Sequence, residues 1–443
     1  MSEKLLVAYS GGADSTCLLT LCDEAGLDVV AAHLHHGQRK EADQELELCA
    51  AYCESLNIPF ISGRADVPKI AKDFGLSIEE AGRRARYEFF EKAAWQFQCA
   101  AILTGHTQDD HVETVLLNLT RGAGMRGLTG IPERRDNIVR PILSVTREET
   151  RGFCAERGLW FHDDPANDDL HHARSRIRAS VVPVMRELHP GFDAAVCRMT
   201  EIISQEDQYL DSAGAGALEK LVVSMNGPLE FLTRNEEVCL DRQGLAHLPE
   251  VLLNRAIRLV CRVLGAELSR EITESVKDAI QKADLGAFTA EGGEVTLQIL
   301  ADKVHIYRQS NVVLQRGILQ TPGDTLADSF GWMICADHEG EEPFVQDSNH
   351  LKVTLDRSAI KGDLHLVGIQ DGMKIQPINF DGTKLIGDIA TDRKLSQLCR
   401  RKLPVVCDMV GPIWVPGIAV ADRTKVTPHS SAKLWLSFGP VSD

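Results

Sequence analysis

The sequence predicts an α/β protein with a doubly wound parallel-sheet domain over residues 1–190. A mainly helical middle follows over 191–310, then a linker of edge loops over 311–350 and a small α+β domain over 351–443. Three observations predict this. Short apolar, β-compatible runs alternate with helical apolar spacing up to about residue 190, the pattern of strand–helix–strand units that build parallel sheets. Beyond Gly191 helical spacing dominates to about 285, Val295 to Arg308 reads as a β pair, and strand-sized apolar runs return between turns after 351. At 443 residues the chain is also too long for one ordinary core.

The first elements organise the rest. An apolar run from Lys4 to Tyr9 meets a Ser10-Gly11-Gly12 turn that opens, through Ala13 and Asp14, into a helix from Ser15. In such a unit backbone N–H groups and the helix dipole converge on one spot, so a phosphate is the expected guest. No Gly-Lys-Ser/Thr follows, and the third glycine of the dinucleotide fingerprint is missing. Asp14 is a carboxylate in a pocket built for anions, which makes electrostatic sense if Mg²⁺ lies between it and the phosphate. The alternative is that Asp14 only caps the helix.

Gly26 stops that helix, and Asp28 to Leu34 reads as a second buried strand running into His33, His35, His36 and Gly37-Gln38-Arg39. Histidines at a strand's carboxyl end stand where open sheets bind ligands. They lack the spaced acids or thiols of a zinc site, so contact with a nucleotide is expected. After a helix from Glu41 and a strand at Pro59–Ser62, Ser77 and Glu80 form a capping box on a helix reaching about Phe97. Arg83, Arg84 and Arg86 lie within one of its turns. Three guanidinium groups so close call for a triphosphate or RNA phosphate, unless Glu79, Glu80 and Glu88 pair with them.

A strand at Ala100–Thr104 leads through Gly105 and His106 into a helix whose first turn crowds Asp109, Asp110 and Glu113, with His111 beside them. Dipole complementation accounts for one or two of these acids. The excess could hold a second Mg²⁺, bind an ammonium group, or join His106 and His111 in the metal centre of a hydrolase. A glycine loop (121–130), a strand at Ile138–Leu143, a capping box at Thr146–Glu149 and a turn cluster at Asp163–Asp169 follow. The run Arg174-Ser175-Arg176-Ile177-Arg178 then opens a basic helix.

Composition bounds the function. Apolar residues make up 44% and charged residues 25%, as in water-soluble globular proteins. No stretch approaches the roughly 20 apolar residues of a membrane span and no signal-peptide pattern opens the chain, so a cytoplasmic protein with no membrane contact is expected. The 12 cysteines contain no Cys-x-x-Cys and read as buried free thiols. The formal charge of −16 hides an asymmetry, because residues 351–443 carry +4. Lys384, Arg393, Lys394, Arg400, Arg401 and Lys402 cluster there, which invites a polyanion.

Several motifs now stand in order. Ser10 to Ser15 resembles the pyrophosphate loop of N-type ATP pyrophosphatases. His33 to Arg39, Glu80-Ala81 with Arg83 to Tyr87, and Thr104-Gly105-His106 with Asp109-Asp110 and Glu113-Thr114 follow it. Then come Arg121-Gly122-Ala123-Gly124, Arg140-Pro141 and Arg176-Ile177-Arg178. Together they closely resemble the tRNA(Ile)-lysidine synthases, and Trp414-Val415-Pro416-Gly417-Ile418 with Asp422-Arg423 resembles that family's C-terminal domain.

The resemblance implies a PP-loop ATP pyrophosphatase fold and a ligase. Such an enzyme adenylates the carbonyl oxygen of the wobble cytosine in isoleucine tRNA with a CAU anticodon, then lets L-lysine displace AMP. ATP and Mg²⁺ are implied, and a homodimer is compatible with it. Ser10, Gly11, Gly12, Ala13, Asp14, Ser15, His33 and Gly105 would bind ATP, with Asp14 on Mg²⁺. Asp14, Arg86, Asp110 and Arg178 would be catalytic, His106, Asp110 and Glu113 would hold lysine and aid its deprotonation, and Arg400, Arg401 and Lys402 would bind tRNA. Rival readings are a tRNA thiolase, disfavoured by the missing Cys-x-x-Cys, an RNA-binding scaffold, and the metal hydrolase.

Overall fold

The computed structural model describes residues 3–35, 41–162, 172–310, 312–338 and 351–441. His36 to Arg39 and the turn cluster at Asp163–Asp169 lie outside them. The chain divides into two compact units, 1–209 and 210–443.

In the first unit the elements run β1 (Leu5–Ala8), α1 (Ala13–Glu24), β2 (Val29–His35), α2 (Glu41–Ser55), β3 (Phe60–Arg64), α3 (Val67–Phe74) and α4 (Ile78–Gln96). They continue with β4 (Ala101–Thr104), α5 (Gln108–Thr120), the single turn α6 (Met125–Leu128), β5 (Arg134–Arg135), β6 (Ile138–Val139) and α7 (Arg147–Glu156). The strands form one sheet in the order β3-β2-β1-β4-β6-β5, parallel except for the β5–β6 pair. Strand residues alternate between two cores, as the pleat requires. Val7, Val29, Ala31 and Leu103 pack with Leu18 and Leu19 of α1 and Cys49 and Cys53 of α2. Leu6, Ala32 and Ile102 pack with Phe90, Ala93 and Ala94 of α4. The chain winds outward from β1 to β3 and then returns to the other side of β1 as β4, so a topological switch point lies between β1 and β4.

Residues 173–188 make one continuous helix, α8 (Ala173–Arg176) and α9 (Val182–Leu188) joined by a π-helical turn at Ile177–Val181. Ile177 and Val182, with Val196 of α10 (Phe192–Glu219), bury the outer face of α5 at Val112, Val115 and Leu116. Helix α10 runs through the boundary between the units, so the change near 190 read from the sequence falls at its start.

The second unit begins with a sheet in the order β7 (Glu237–Asp241), β10 (Lys303–Arg308), β9 (Val295–Ile299), β8 (Gly286–Thr289). It is covered by α11 (Arg242–Ala246), α12 (Glu250–Val263) and α13 (Arg270–Lys282). The β pair expected over Val295–Arg308 is present as β9 and β10, and β7 and β8 add two strands that were not expected. The stretch 311–350, expected as a linker, instead contributes β11 (Gly317–Ile318), β12 (Gly323–Ala327) and β13 (Trp332–Asp337). The remaining elements are β14 (Lys352–Asp356), β15 (His365–Gly368), β16 (Lys374–Ile375), β17 (Lys384–Leu385), α14 (Ile386–Asp392), α15 (Gln397–Lys402), β18 (Pro404–Cys407), β19 (Pro412–Val415), β20 (Ala419–Val420) and β21 (Lys433–Pro440). Strands β12 and β13 join a sheet with β21 and β14, and β11 edges a second sheet with β15, β18, β19 and β20. Both sheets enclose a core around Trp332 and Trp414 that also takes in Leu229 and Leu232 of the middle segment.

All 12 cysteines are free and nine of them are buried. Among the described residues no helix is long and apolar enough to cross a membrane.

Candidate functional site

The glycine turn sits at the carboxyl end of β1. Gly11 adopts φ +82°, and a Cβ there would come within 2.7 Å of Cys49 Sγ, so both conformation and space demand glycine. The Ser15 hydroxyl ties the turn together, donating to the Gly12 carbonyl at 3.0 Å and lying 3.2 Å from the Ser10 nitrogen. The first intrahelical bond runs from Thr16 N to Gly12 O at 2.9 Å, so the N–H groups of Ala13, Asp14 and Ser15 precede the ladder and point out of the helix start. Such a turn can cradle an anion.

Asp14 is not the cap of α1. Gly12 holds that position with no side-chain bond, and the Asp14 carboxylate turns instead to α7, accepting a hydrogen bond at 2.5 Å from Thr150 Oγ1. Its other oxygen lies 3.8 Å from Arg147 Nε. Burial raises the Asp14 pKa, and the charges of Asp110 and Asp109 raise it further against Thr150 and Arg147. A carboxylate so placed gains from a cation. Among the described residues no group of three His, Cys, Asp or Glu side chains could hold a metal, so a Mg²⁺ here fits only as one shared between a single carboxylate, phosphates and water, its usual arrangement on nucleotides.

The second half of the site grows from the end of β4. A Cβ on Gly105 would approach the backbone of Asp14 and Ser15 to 3.1 Å, so glycine lets the β4–α5 corner lie against the start of α1. Thr107 and Asp110 form the capping box of α5. The acids expected to exceed dipole needs are charge-matched by arginines. Arg147 donates to Asp110 at 3.0 Å and to Glu113 at 3.3 Å, and its backbone N–H is held by Asp109 at 2.7 Å. Arg174 reaches Glu113 at 2.9 Å and Asp110 at 3.3 Å, Arg178 reaches Glu113 at 2.6 Å, and Arg186 reaches Asp109 at 2.8 Å. Burial works to raise the Asp110 pKa, but Arg174, Arg147 and the Thr107 N–H outweigh it and hold the carboxyl below its usual range. Arg178 is correspondingly raised by Glu113 against burial.

His106 hydrogen-bonds Thr104 Oγ1 at 2.9 Å and is drawn down to about 4, first by burial and then by Arg140, Arg174 and Arg83 against Asp110. The corner is suited to holding a cation by charge and hydrogen bonds. His111 is committed elsewhere, with Nε2 2.9 Å from Thr200 Oγ1, so His106 and His111 do not meet over a common metal. His33 is buried and bonds the Tyr9 carbonyl through Nδ1 at 3.0 Å, which fixes β2 beside the loop; burial lowers its pKa. Among the α4 arginines, Arg84 pairs with Glu88 at 2.7 Å and Arg83 lies over the Tyr87 ring. Arg86 is solvent-accessible, yet desolvation by the surrounding protein lowers its pKa.

The C-terminal basic cluster separates. Lys402 is buried, with Nζ donating to the Leu232 carbonyl at 3.0 Å and paired with Glu236. Its expected place on a tRNA phosphate is therefore corrected: the charge is consumed inside the unit. Arg400 is half-buried and bonds the Leu395 carbonyl and Thr391 Oγ1, and Arg401 is exposed, reaching the Ser310 carbonyl at 2.6 Å.

Sequence reasoning assigned no part to Arg147 or Thr150. Their signal was the spacing i, i+3 behind the Thr146 capping box, which sets both on one helical face.

A parallel sheet with a glycine anion loop at its switch point defines a nucleotide-binding α/β domain. Residues 1–185 match the family described as PP-loop domain, an ATP-binding one. The chain is also similar to the tRNA(Ile)-lysidine synthase of Clostridium tetani, at 28% identity over 96% of this chain and 92% of that one. The Bacillus subtilis enzyme of the same name gives 27% over 98% and 93%. That of Thermus thermophilus gives 39% over a shorter span, 63% of this chain and 52% of the relative. Residues 1–185 form a PP-loop domain, and the chain is a ligase.

Proposed function

We propose that this ligase joins L-lysine to the wobble cytidine of the CAU-anticodon isoleucine tRNA, giving lysidine. The observation that carries the reading is the pairing of an anion-binding loop with a cation-holding acid corner, brought into contact because Gly105 rests on the Asp14 backbone. One half suits the departing pyrophosphate and the other an amine. The names of the relatives point the same way.

The cytosine carbonyl oxygen is a poor leaving group, so it first bonds the α-phosphorus of ATP as pyrophosphate departs. The lysine ammonium gives up a proton at the acid corner, the freed amine forms the new C–N bond, and AMP leaves with that oxygen. In this reading the N–H groups of Ala13 to Ser15 and the hydroxyls of Ser10 and Ser15 grip the pyrophosphate. Asp14 would hold Mg²⁺, which when bound neutralises charge on the leaving group. His33 and Gly105 border the nucleotide. Arg86 and Arg178 stabilise the α-phosphate or orient the RNA. His106, Asp110 and Glu113 hold lysine, whose ammonium enters by displacing a guanidinium from Asp110, and Arg400 and Arg401 meet tRNA phosphates.

The test is transfer of radiolabelled lysine to unmodified isoleucine tRNA. Incorporation should require ATP and the CAU anticodon. Failure with lysine but transfer of sulfur from a sulfide donor would replace this reading with thiolation.

A further inference from the structure

Helix α7 presents Arg147, Thr150 and Cys154 at i, i+3 and i+7, one stripe of a helix. The whole stripe faces the pyrophosphate loop. Cys154 Sγ lies 3.5 Å from the Ala13 carbonyl and packs with Ala13 and Cys17. Thr150 is fully buried and donates to Asp14 Oδ1, while Arg147 spans from Asp14 to Asp110 and Glu113. The first turn of α7 is itself fixed, by the Thr146–Glu149 capping box and by Asp109 on the Arg147 N–H. A rigid element therefore reaches the one carboxylate of the loop.

An aspartate held only by its backbone can turn either oxygen outward. Here one oxygen is tied. The Thr150 hydroxyl has a single proton and two acceptors in reach, Asp14 Oδ1 at 2.5 Å and the Arg147 carbonyl at 3.0 Å. The bond to the ionised carboxylate is the stronger of the two.

We propose that Thr150 is a positioning residue for Asp14, its buried hydroxyl fixing Oδ1 so that Oδ2 is left for the cation that accompanies ATP. The inference rests on the ATP reading above. Arg147 complements it by lying 3.8 Å from Oδ2, close enough to balance the charge and too far to hold the oxygen as a hydrogen bond does.

The experiment compares Thr150→Val, nearly isosteric but without the hydroxyl, with Thr150→Ser, which keeps it. Labelled ATP is bound by equilibrium dialysis across a Mg²⁺ series, beside tRNA-dependent ATP–pyrophosphate exchange, with melting curves as the check on folding. Thr150→Val should raise the Mg²⁺ needed for half-maximal ATP binding about tenfold, the loss expected for a hydrogen bond to a charged group, while Thr150→Ser stays within about twofold of wild type. Should the valine variant not fold, Thr150→Ala is read the same way. Wild-type Mg²⁺ dependence without the hydroxyl would overturn the proposal, as would equal impairment of the valine and serine variants, the mark of lost packing alone. Asp14→Asn separates the two layers. If it loses Mg²⁺-dependent ATP binding while Thr150→Val does not, only the positioning role falls; if it binds as wild type, the cation role of Asp14 falls and the positioning role with it.

Discussion

Two clusters of charge in this chain read alike in sequence and differ in space. At the β4–α5 corner, acids from one helix turn meet arginines drawn from α7, α8, the π-helical turn and α9, up to 77 residues away. At α15, three consecutive basic residues disperse: one is buried, one half-buried and one exposed. The difference teaches that adjacent charges on a helix point around its circumference, whereas charges that converge from separate elements must be placed there by the fold. Convergence, not local density, marks a site.

The comparison can be broken most forcefully at Glu113, 2% exposed and touched by three arginines. Glu113→Gln should destabilise the first unit by about 3–5 kcal/mol, because it leaves guanidinium groups partly buried without their carboxylate. A urea melt unchanged from wild type would mean that the arginines are anchored elsewhere. At the other cluster, Lys402→Met should cost about 2 kcal/mol by unpairing Glu236 and the Leu232 carbonyl. The salt dependence of tRNA binding should not change. A reduced salt slope would return Lys402 to the surface.

Arg401→Ala sharpens the contrast, since its guanidinium is exposed. It should lower the salt slope by about 1 with little effect on melting. An unchanged slope would remove it as a phosphate contact. The smallest effect concerns His106. Its pKa falls from 6.5 to about 4 on folding, so between those values the unfolded chain binds a proton that the folded one refuses. The stability conferred by the neutral ring is complete above 6.5 and is lost as pH falls toward about 4. His106→Asn should flatten this part of a stability–pH curve measured by urea melts, and parallel curves for variant and wild type would contradict the burial argument.

Much of the first unit was legible because its signals are local. The Ser10–Ser15 turn, the capping boxes at Ser77 and Thr146, and the helix that opens with Asp109 and Asp110 are written within a few residues of one another. What escaped is non-local. Strands β12 and β13 lie in a Gly- and Asp-rich stretch that reads as loop, and β13 pairs with β21 about a hundred residues later, Trp332 opposite Pro440. Lys402 looked like a surface cation because nothing near it in sequence foretells Leu232 and Glu236. The Thr150–Asp14 contact spans 136 residues, and only the face shared by Arg147, Thr150 and Cys154 hinted at it.

In the proposed reaction the glycine loop and the acid corner are two halves of one site, the first activating the base and the second supplying the amine. Tested most directly, wild type, Asp14→Asn and Asp110→Asn are assayed in parallel for tRNA-dependent ATP–pyrophosphate exchange without lysine and for lysine incorporation with it. Asp14→Asn should lose both, while Asp110→Asn should keep exchange and lose incorporation. Exchange that survives in Asp14→Asn, or lysine incorporation that survives in Asp110→Asn, would contradict this reading.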